Sequence, residues 1–332
     1  MKNEKHSWVY DLLFIFVLLM AGYLRIGGYN WGEGYHQHPD ELFLSGVLDN
    51  LRAHACEDPT IPVDGCLPEQ KRWLTIGEYF DSSTSTLSPY VRGHAFFVYG
   101  NLPMTISRVL LEAFADDVTN SKYFARQLSA IADLFTVFIL YLLVSKLYGR
   151  KVGLFAATFS SLAVLQIQQS HFFTADTFVL MFMTLTLWFG VSIVESGTWN
   201  VEQEISNEKQ VTSEGSFSNS QLVTRNSFLV TLIRHPLFLL TIGFGFALGM
   251  AMSSKINAAV LCFVLPFAFF VRYLIYDRNS PSTVHRLQST DYWLLITALL
   301  ITGGLATLIS FRIFQPYAFD GIGLNPKWIA NL

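Results

Sequence analysis

Seven stretches of this chain are apolar for long enough to cross a lipid bilayer, and this constrains the fold more than any other feature. They run over about 8–26, 127–148, 152–168, 177–194, 236–252, 256–276 and 292–309. A span needs roughly 17 to 25 apolar residues, because an α-helix rises only about 1.5 Å per residue through the hydrocarbon layer. Within that layer each segment must satisfy its own backbone N–H and C=O groups, so runs of this length predict helices. Composition agrees, since 52% of the 332 residues are hydrophobic and only 14% charged, against about 25% charged in soluble domains. The expected fold is an all-α integral membrane protein with about seven transmembrane helices. The first run is long for a signal-peptide core and no small-x-small cleavage site follows it, so it reads as a retained anchor.

Charge placement orients the spans. Lys2 and Lys5 precede the first run, "SKLYGRK" (145–151) joins the second to the third, and Arg272, Arg278 and Arg286 surround the link before the last. All of these share one side if the N-terminus is cytoplasmic, as the positive-inside rule asks. The loop over 27–124 then faces outward, with thirteen Asp and Glu against six Lys and Arg. The stretch "FFVYGNLPMTISRVLLEAF" (96–114) is apolar enough to suggest an eighth span. Counting it would carry the "KLYGRK" cluster outside, so it reads instead as an amphipathic helix on the outer membrane surface. Residues 195–235 are rich in Ser, Glu and Asn and read as a flexible cytoplasmic insertion. The expectation is one multi-pass domain over 1–332 in the plasma membrane. Cys56 and Cys66 share the outward loop and can pair in an oxidising compartment. Cys262 lies in an apolar run and reads as a small core residue. No basic stripe or motif points to nucleic acid.

This topology gathers distant pieces of sequence at the outer boundary. "HPDE" (38–41) lies just past the first span, Arg126 at the mouth of the second, and "QIQQSHFFTADT" (166–177) between the third and fourth. "SSKIN" (253–257) links the fifth and sixth, and "FRIFQPYAFDG" (311–321) follows the seventh. Carboxylates at Asp40, Glu41 and Asp176 thus meet cations at Arg126 and Lys255, and ionisable groups at membrane depth are costly enough to mark function. For Lys255 the competing reading is an interfacial lysine snorkelling to water. Asp133, inside the second span, reads as a structural partner for a neighbouring helix.

The inventory suits transfer from a lipid-linked sugar phosphate to a hydroxyl. The acceptor needs a general base, which a carboxylate can be, and the departing phosphate needs cations aimed at it. His36, His38 and Asp40 form H-x-H-x-D, which leaves a divalent-metal site open, with His171 approaching from the second loop. The same residues also suit a histidine that orients Asp40, and H-x-H alone has no diagnostic metal spacing.

The motifs resemble the GT-C superfamily of polyprenyl-phosphate-sugar-dependent glycosyltransferases, which includes protein O-mannosyltransferases and aminoarabinose transferases. The acidic pair after the first span, "RQLSA" (126–130), "LYGRK" (147–151), "FTADTFVLMF" (173–182) and "GFALGMAMSSK" (245–255) occur in that family's order. The resemblance implies a donor of polyprenyl-phosphate-linked sugar and an acceptor that is protein, lipid or glycan. It implies Asp40 as base, Glu41 orienting it or contacting Arg126, Asp176, His171 and His38 near the substrates, and Lys255 and Arg126 on the carrier phosphate. Members commonly have further spans, so the sequence reads as a truncated product or as the shared seven-span core. Two other classes stay in view: a non-catalytic assembly subunit and a transporter or flippase. A transporter would place its charges near the bilayer midplane between matching halves, whereas here they gather at one face.

Overall fold

A computed structural model describes residues 7–33, 35, 37–115, 121–196, 232–233, 235–277 and 289–332. Six helices are long and apolar enough to cross a membrane, and a bent pair makes a seventh crossing if counted as one. The spans are α1 (Ser7–Ile26), α5 (Ser121–Tyr148), the pair α6 (Arg150–Leu162) and α7 (Val164–Ser170), α8 (Ala175–Glu195), α9 (Pro236–Ser254), a sixth span, and α11 (Ser289–Phe314). The sixth span opens with a 3-10 run (Ile256–Phe263), continues as α10 (Val264–Arg272) and ends in a π-helical turn (Tyr273–Asp277). The segment between the first two spans carries α2 (Pro39–Asn50), a two-stranded hairpin of β1 (His54–Cys56) and β2 (Lys71–Trp73), α3 (Ile76–Phe80) and α4 (Asn101–Phe114). After α11 come a short hairpin of β3 (Phe319–Asp320) and β4 (Gly323–Leu324) and the turn α12 (Pro326–Ile329). The expected seven-span helical fold is therefore present, with α4 far too short to cross. Of the expected insertion, 197–231 and 234 lie outside the described residues, as do Lys2, Lys5, Arg278 and Arg286.

Two expectations need correction. The span expected unbroken over 152–168 is bent by 61° at Ala163. A break frees carbonyls that hydrocarbon cannot satisfy, and here Arg25 of α1 satisfies them. Its guanidinium donates to Ser161 O (3.1 Å) and Ser160 O (3.0 Å) and forms an ion pair with Asp133 (2.6 Å). Gln166, just past the break, donates to the other oxygen of Asp133 (2.8 Å). The structural partner expected for Asp133 is thus Arg25, and both side chains are buried. Secondly, Cys262 is exposed on the sixth span rather than in the core. In a bilayer the lipid is as apolar as the protein interior, so an apolar run does not say which face points inward.

Small residues allow close helix packing. A Cβ on Gly245 would lie 2.3 Å from Gly303 O, and one on Gly249 would lie 2.5 Å from Ser310 Cβ, so α9 and α11 meet with their backbones almost touching. This is the small-xxx-small spacing that membrane helices use where van der Waals contact must drive association. Ser310 Oγ donates to Phe246 O across the same seam (2.8 Å). At the tight turn between α5 and α6, Gly149 takes a φ of +89°, a conformation that favours glycine.

The described residues between α1 and α5 pack onto one end of the bundle. Leu44 and Leu48 of α2, Met104 of α4, Phe178 of α8 and Ala251 of α9 share one core cluster with Tyr317. Cys56 and Cys66 are joined by a disulfide, which closes the loop between β1 and β2. Tyr79 donates to Ile313 O (2.8 Å), Ser85 and Tyr317 share a hydroxyl hydrogen bond (2.8 Å), and Asn331 donates to Ala95 O (3.0 Å). The residues around 313–331 therefore fasten the segment to the end of α11.

Candidate active site

Five spans deliver residues to that same end. The chain leaves α1 there, enters α5 and α8 there, and leaves α9 and α11 there, as antiparallel spans must if alternate links share a side.

The foundation is Glu41 with Arg126, both side chains fully buried. Arg126 of α5 forms a forked pair with Glu41 of α2, Nε to Oε1 and Nη2 to Oε2, each 2.6 Å. Its remaining N–H groups go to the carbonyls of Tyr29, Trp31 and Tyr35. All five guanidinium donors are in use. Glu41 also accepts from the backbone N–H of Phe173 (3.0 Å), just before α8. One carboxylate thus ties α2, α5 and the second loop together, and a forked geometry of this kind fixes orientation as well as distance. Arg126 is fully buried, with its guanidinium bound within the protein. The contact expected between Glu41 and Arg126 is present.

Asp40, the residue before Glu41, is half-buried at the second position of α2. His38 caps that helix, its Nδ1 accepting from the Asp40 N–H (3.2 Å) while its ring packs near Phe172 (5.3 Å between centroids). Pro39 at the first helical position suits the fixed proline φ. His38 therefore caps α2 through the backbone of Asp40 and makes no recorded bond to its carboxylate. Among the described residues no three His, Cys, Asp or Glu side chains could share a metal ion, and His36 lies outside the described residues. His171 bridges Ile167 O and Gly27 O, at 2.8 Å each, and so pins the second loop to the end of α1.

Asp176, in the first turn of α8, pairs with Lys255, the residue that terminates α9 (2.8 Å). Their side chains remain 43% and 32% exposed, so both are open to a ligand. Between this pair and Asp40 runs the segment 99–101. Burial pushes the pKa of Tyr99 up to about 12, and the neighbouring charges of Asp40 and Asp176 act in the same direction. The Gly100 N–H donates to Ser254 O (3.1 Å), and a Cβ there would fall 1.8 Å from Ser253 O, so only glycine lets the segment lie against α9. The Asn101 N–H donates to Gln315 Oε1 beyond α11 (2.5 Å). Tyr99 and Gln315 were both missed as site residues, although each lies in a quoted motif ("FFVYGNLP", "FRIFQPYAF"). Gly100 was the readable signal that a neighbouring backbone comes close.

Asp40, Tyr99, Asp176 and Lys255 thus stand together above the Glu41–Arg126 pair. Comparison with solved structures shows a shared fold. The chain matches a structure titled as the S. cerevisiae protein O-mannosyltransferase Pmt1-Pmt2 complex bound to the sugar donor, with a TM-score of 0.58 over 99% of its length. This is a GT-C fold. Sequence identity in that match is 13%, and the chain spans 36% of the length of the yeast chain. A family profile described as dolichyl-phosphate-mannose-protein mannosyltransferase matches residues 109–201. That range holds Arg126, Asp133, His171 and Asp176 of the GT-C core but not the acidic pair or Lys255. No curated protein matches the chain.

Proposed function

We propose that this GT-C core is an inverting membrane glycosyltransferase that moves a sugar from a polyprenyl-phosphate donor to a hydroxyl acceptor on the extracytoplasmic face of the plasma membrane. The observation that carries this reading is the grouping of Asp40, Tyr99, Asp176 and Lys255 at the end of the spans, where a lipid-held headgroup would lie. The positive-inside distribution of "SKLYGRK" and its neighbours supports the outward assignment of that end.

Asp40 takes the proton of the acceptor hydroxyl as its oxygen attacks the anomeric carbon. The bond from that carbon to the phosphate oxygen breaks, and the polyprenyl phosphate leaves with the bonding electrons. A phosphate is already a good leaving group, so the residues stabilise its charge rather than protonate it, and Lys255 is placed for this. One base acting in one displacement inverts the anomeric centre, by the same reasoning that separates the two classes of glycosidase. Tyr99, whose hydroxyl feels the charges of both Asp40 and Asp176, is near enough to donate to the Asp40 carboxylate as it takes the proton. Glu41 and Arg126 make no contact with substrate; they fix the start of α2 and the second loop. The relatives named for mannosyl transfer to protein make a mannose donor and a protein acceptor the first pair to try.

The test is turnover of radiolabelled polyprenyl-phosphate sugars by purified protein, wild type against Asp40→Asn, with and without chelator. Turnover in the wild type that is lost in the folded variant supports the proposal. Intact donors in both proteins refute it for this chain acting alone.

A further inference from the structure

The charges around Asp40 leave a lipid phosphate one way in. Arg126 has no N–H left to offer, because each of its five is bound within the protein. Lys255 is accessible, but its ammonium is already held by Asp176 at 2.8 Å. Resting on the transferase reading, we infer that Asp176 is the resident occupant of the phosphate-binding lysine, and that the donor phosphate displaces it.

This exchange sets an order of binding. Before the donor arrives, Lys255 holds Oδ1 of Asp176 and offsets its charge, so the carboxylate is a weaker acceptor for a ligand hydroxyl than it becomes alone. Once phosphate takes the lysine, Asp176 is left unpaired in the first turn of α8, where the helix N-terminus tolerates negative charge. It is then free to accept from a hydroxyl of the sugar or acceptor, close enough to Asp40 for both to act on the same Tyr99 hydroxyl. The donor therefore builds part of the acceptor site, and the donor-first order follows from one ion pair changing partners. A pair about one-third exposed holds its lysine only weakly, so phosphate can win without unfolding anything.

The prediction is counter-intuitive for a residue in an active site: removing Asp176 strengthens donor-phosphate binding. Farnesyl phosphate binding to the purified full chain in lipid nanodiscs is the measurement, with wild type, Asp176→Asn, Asp176→Ala, Asp40→Asn and Lys255→Met compared. Both Asp176 variants should bind roughly two- to fivefold tighter than wild type, the range that loss of an accessible pair allows. Two substitutions guard against one of them misfolding. Asp40→Asn removes an equal charge without releasing Lys255 and should tighten binding less. Lys255→Met should abolish most of it. Unchanged or weaker binding in the folded Asp176 variants overturns the exchange, as does equal tightening by Asp40→Asn, because a general field would then suffice. Absence of binding in every protein, wild type included, overturns the exchange together with the transferase reading beneath it.

Discussion

Replacing Glu41 with Leu should be far more damaging than replacing Glu41 and Arg126 together. The single change leaves a guanidinium with no exposed surface facing an apolar side chain. It deletes two charge-assisted bonds of 2.6 Å and a third from the Phe173 N–H. Removing one partner of a buried pair costs about 3–5 kcal/mol, and a buried N–H left without an acceptor adds about 1–3 kcal/mol. Glu41→Leu should therefore lose roughly 4–8 kcal/mol. In Glu41→Leu/Arg126→Met no charge is stranded, and the carbonyls of Tyr29 and Tyr35 belong to exposed residues that water can reach. The double variant should recover about 2–4 kcal/mol relative to the single one. Unfolding in mixed micelles with increasing sodium dodecyl sulfate, followed by circular dichroism, would measure both. If the double variant proved as unstable as Glu41→Leu, or less stable, the stranded charge would not be what Glu41 prevents, and its assignment as the structural partner of Arg126 would fail.

Other expectations follow from individual contacts. Tyr99→Phe removes a hydroxyl that feels the charges of Asp40 and Asp176 and should cut turnover by up to roughly 10-fold, the worth of one ordinary hydrogen bond, with the unfolding midpoint little changed. Gly100→Ala forces a methyl into the backbone at Ser253 and should destabilise by about 1–3 kcal/mol while displacing Tyr99, read as lost activity alongside lower stability. Cys56→Ser, or reduction of the wild type, opens a crosslink between residues 10 apart and should lower stability by about 2–3 kcal/mol, seen as faster proteolysis between α2 and α3. The Glu78 carboxyl is held near a pKa of about 2, first by the Arg72 hydrogen bond and then by Thr75. A depressed carboxylate contributes stability that is complete above its ordinary value of 4.5 and is lost as pH falls from there through about 2. Protection of the 71–81 region from acid-active protease should therefore fall between pH 4.5 and 2, and Glu78→Gln should flatten that dependence.

The long apolar runs made the spans readable, because a bilayer imposes a length that sequence displays directly. The acidic pair, Asp176 and Lys255 were readable for a related reason: charges at the ends of such runs stand out against them. The break at Ala163 was not readable, since "SSLAVLQIQQS" contains no proline or glycine, and what permits the break is an arginine 138 residues earlier in sequence (163 less 25). The outward face of Cys262 was hidden because hydropathy carries no facing information in lipid. Arg126 was legible as a charge but not as a buried one. Its environment comes from Tyr29, Trp31 and Tyr35, which offer backbone carbonyls and so leave no mark in side-chain chemistry. Tyr99 was overlooked because an aromatic in an apolar stretch resembles packing until the charges beside its hydroxyl are in view.

The bond from the Asn101 N–H to Gln315 has a consequence for the order in which the protein becomes competent. Synthesis delivers Asp40 early and Lys255 much later, but the segment carrying Tyr99, bonded through Gly100 to Ser254, gains its second anchor only once residue 315 has emerged and α11 has packed against α9. A ribosome-bound chain stopped near residue 300 would hold every charged group of the site and still lack the contact that seats Tyr99 between them. The growing chain should thus remain inert toward the lipid donors around it until α11 has entered the membrane, a delay that stalled chains of graded length would expose.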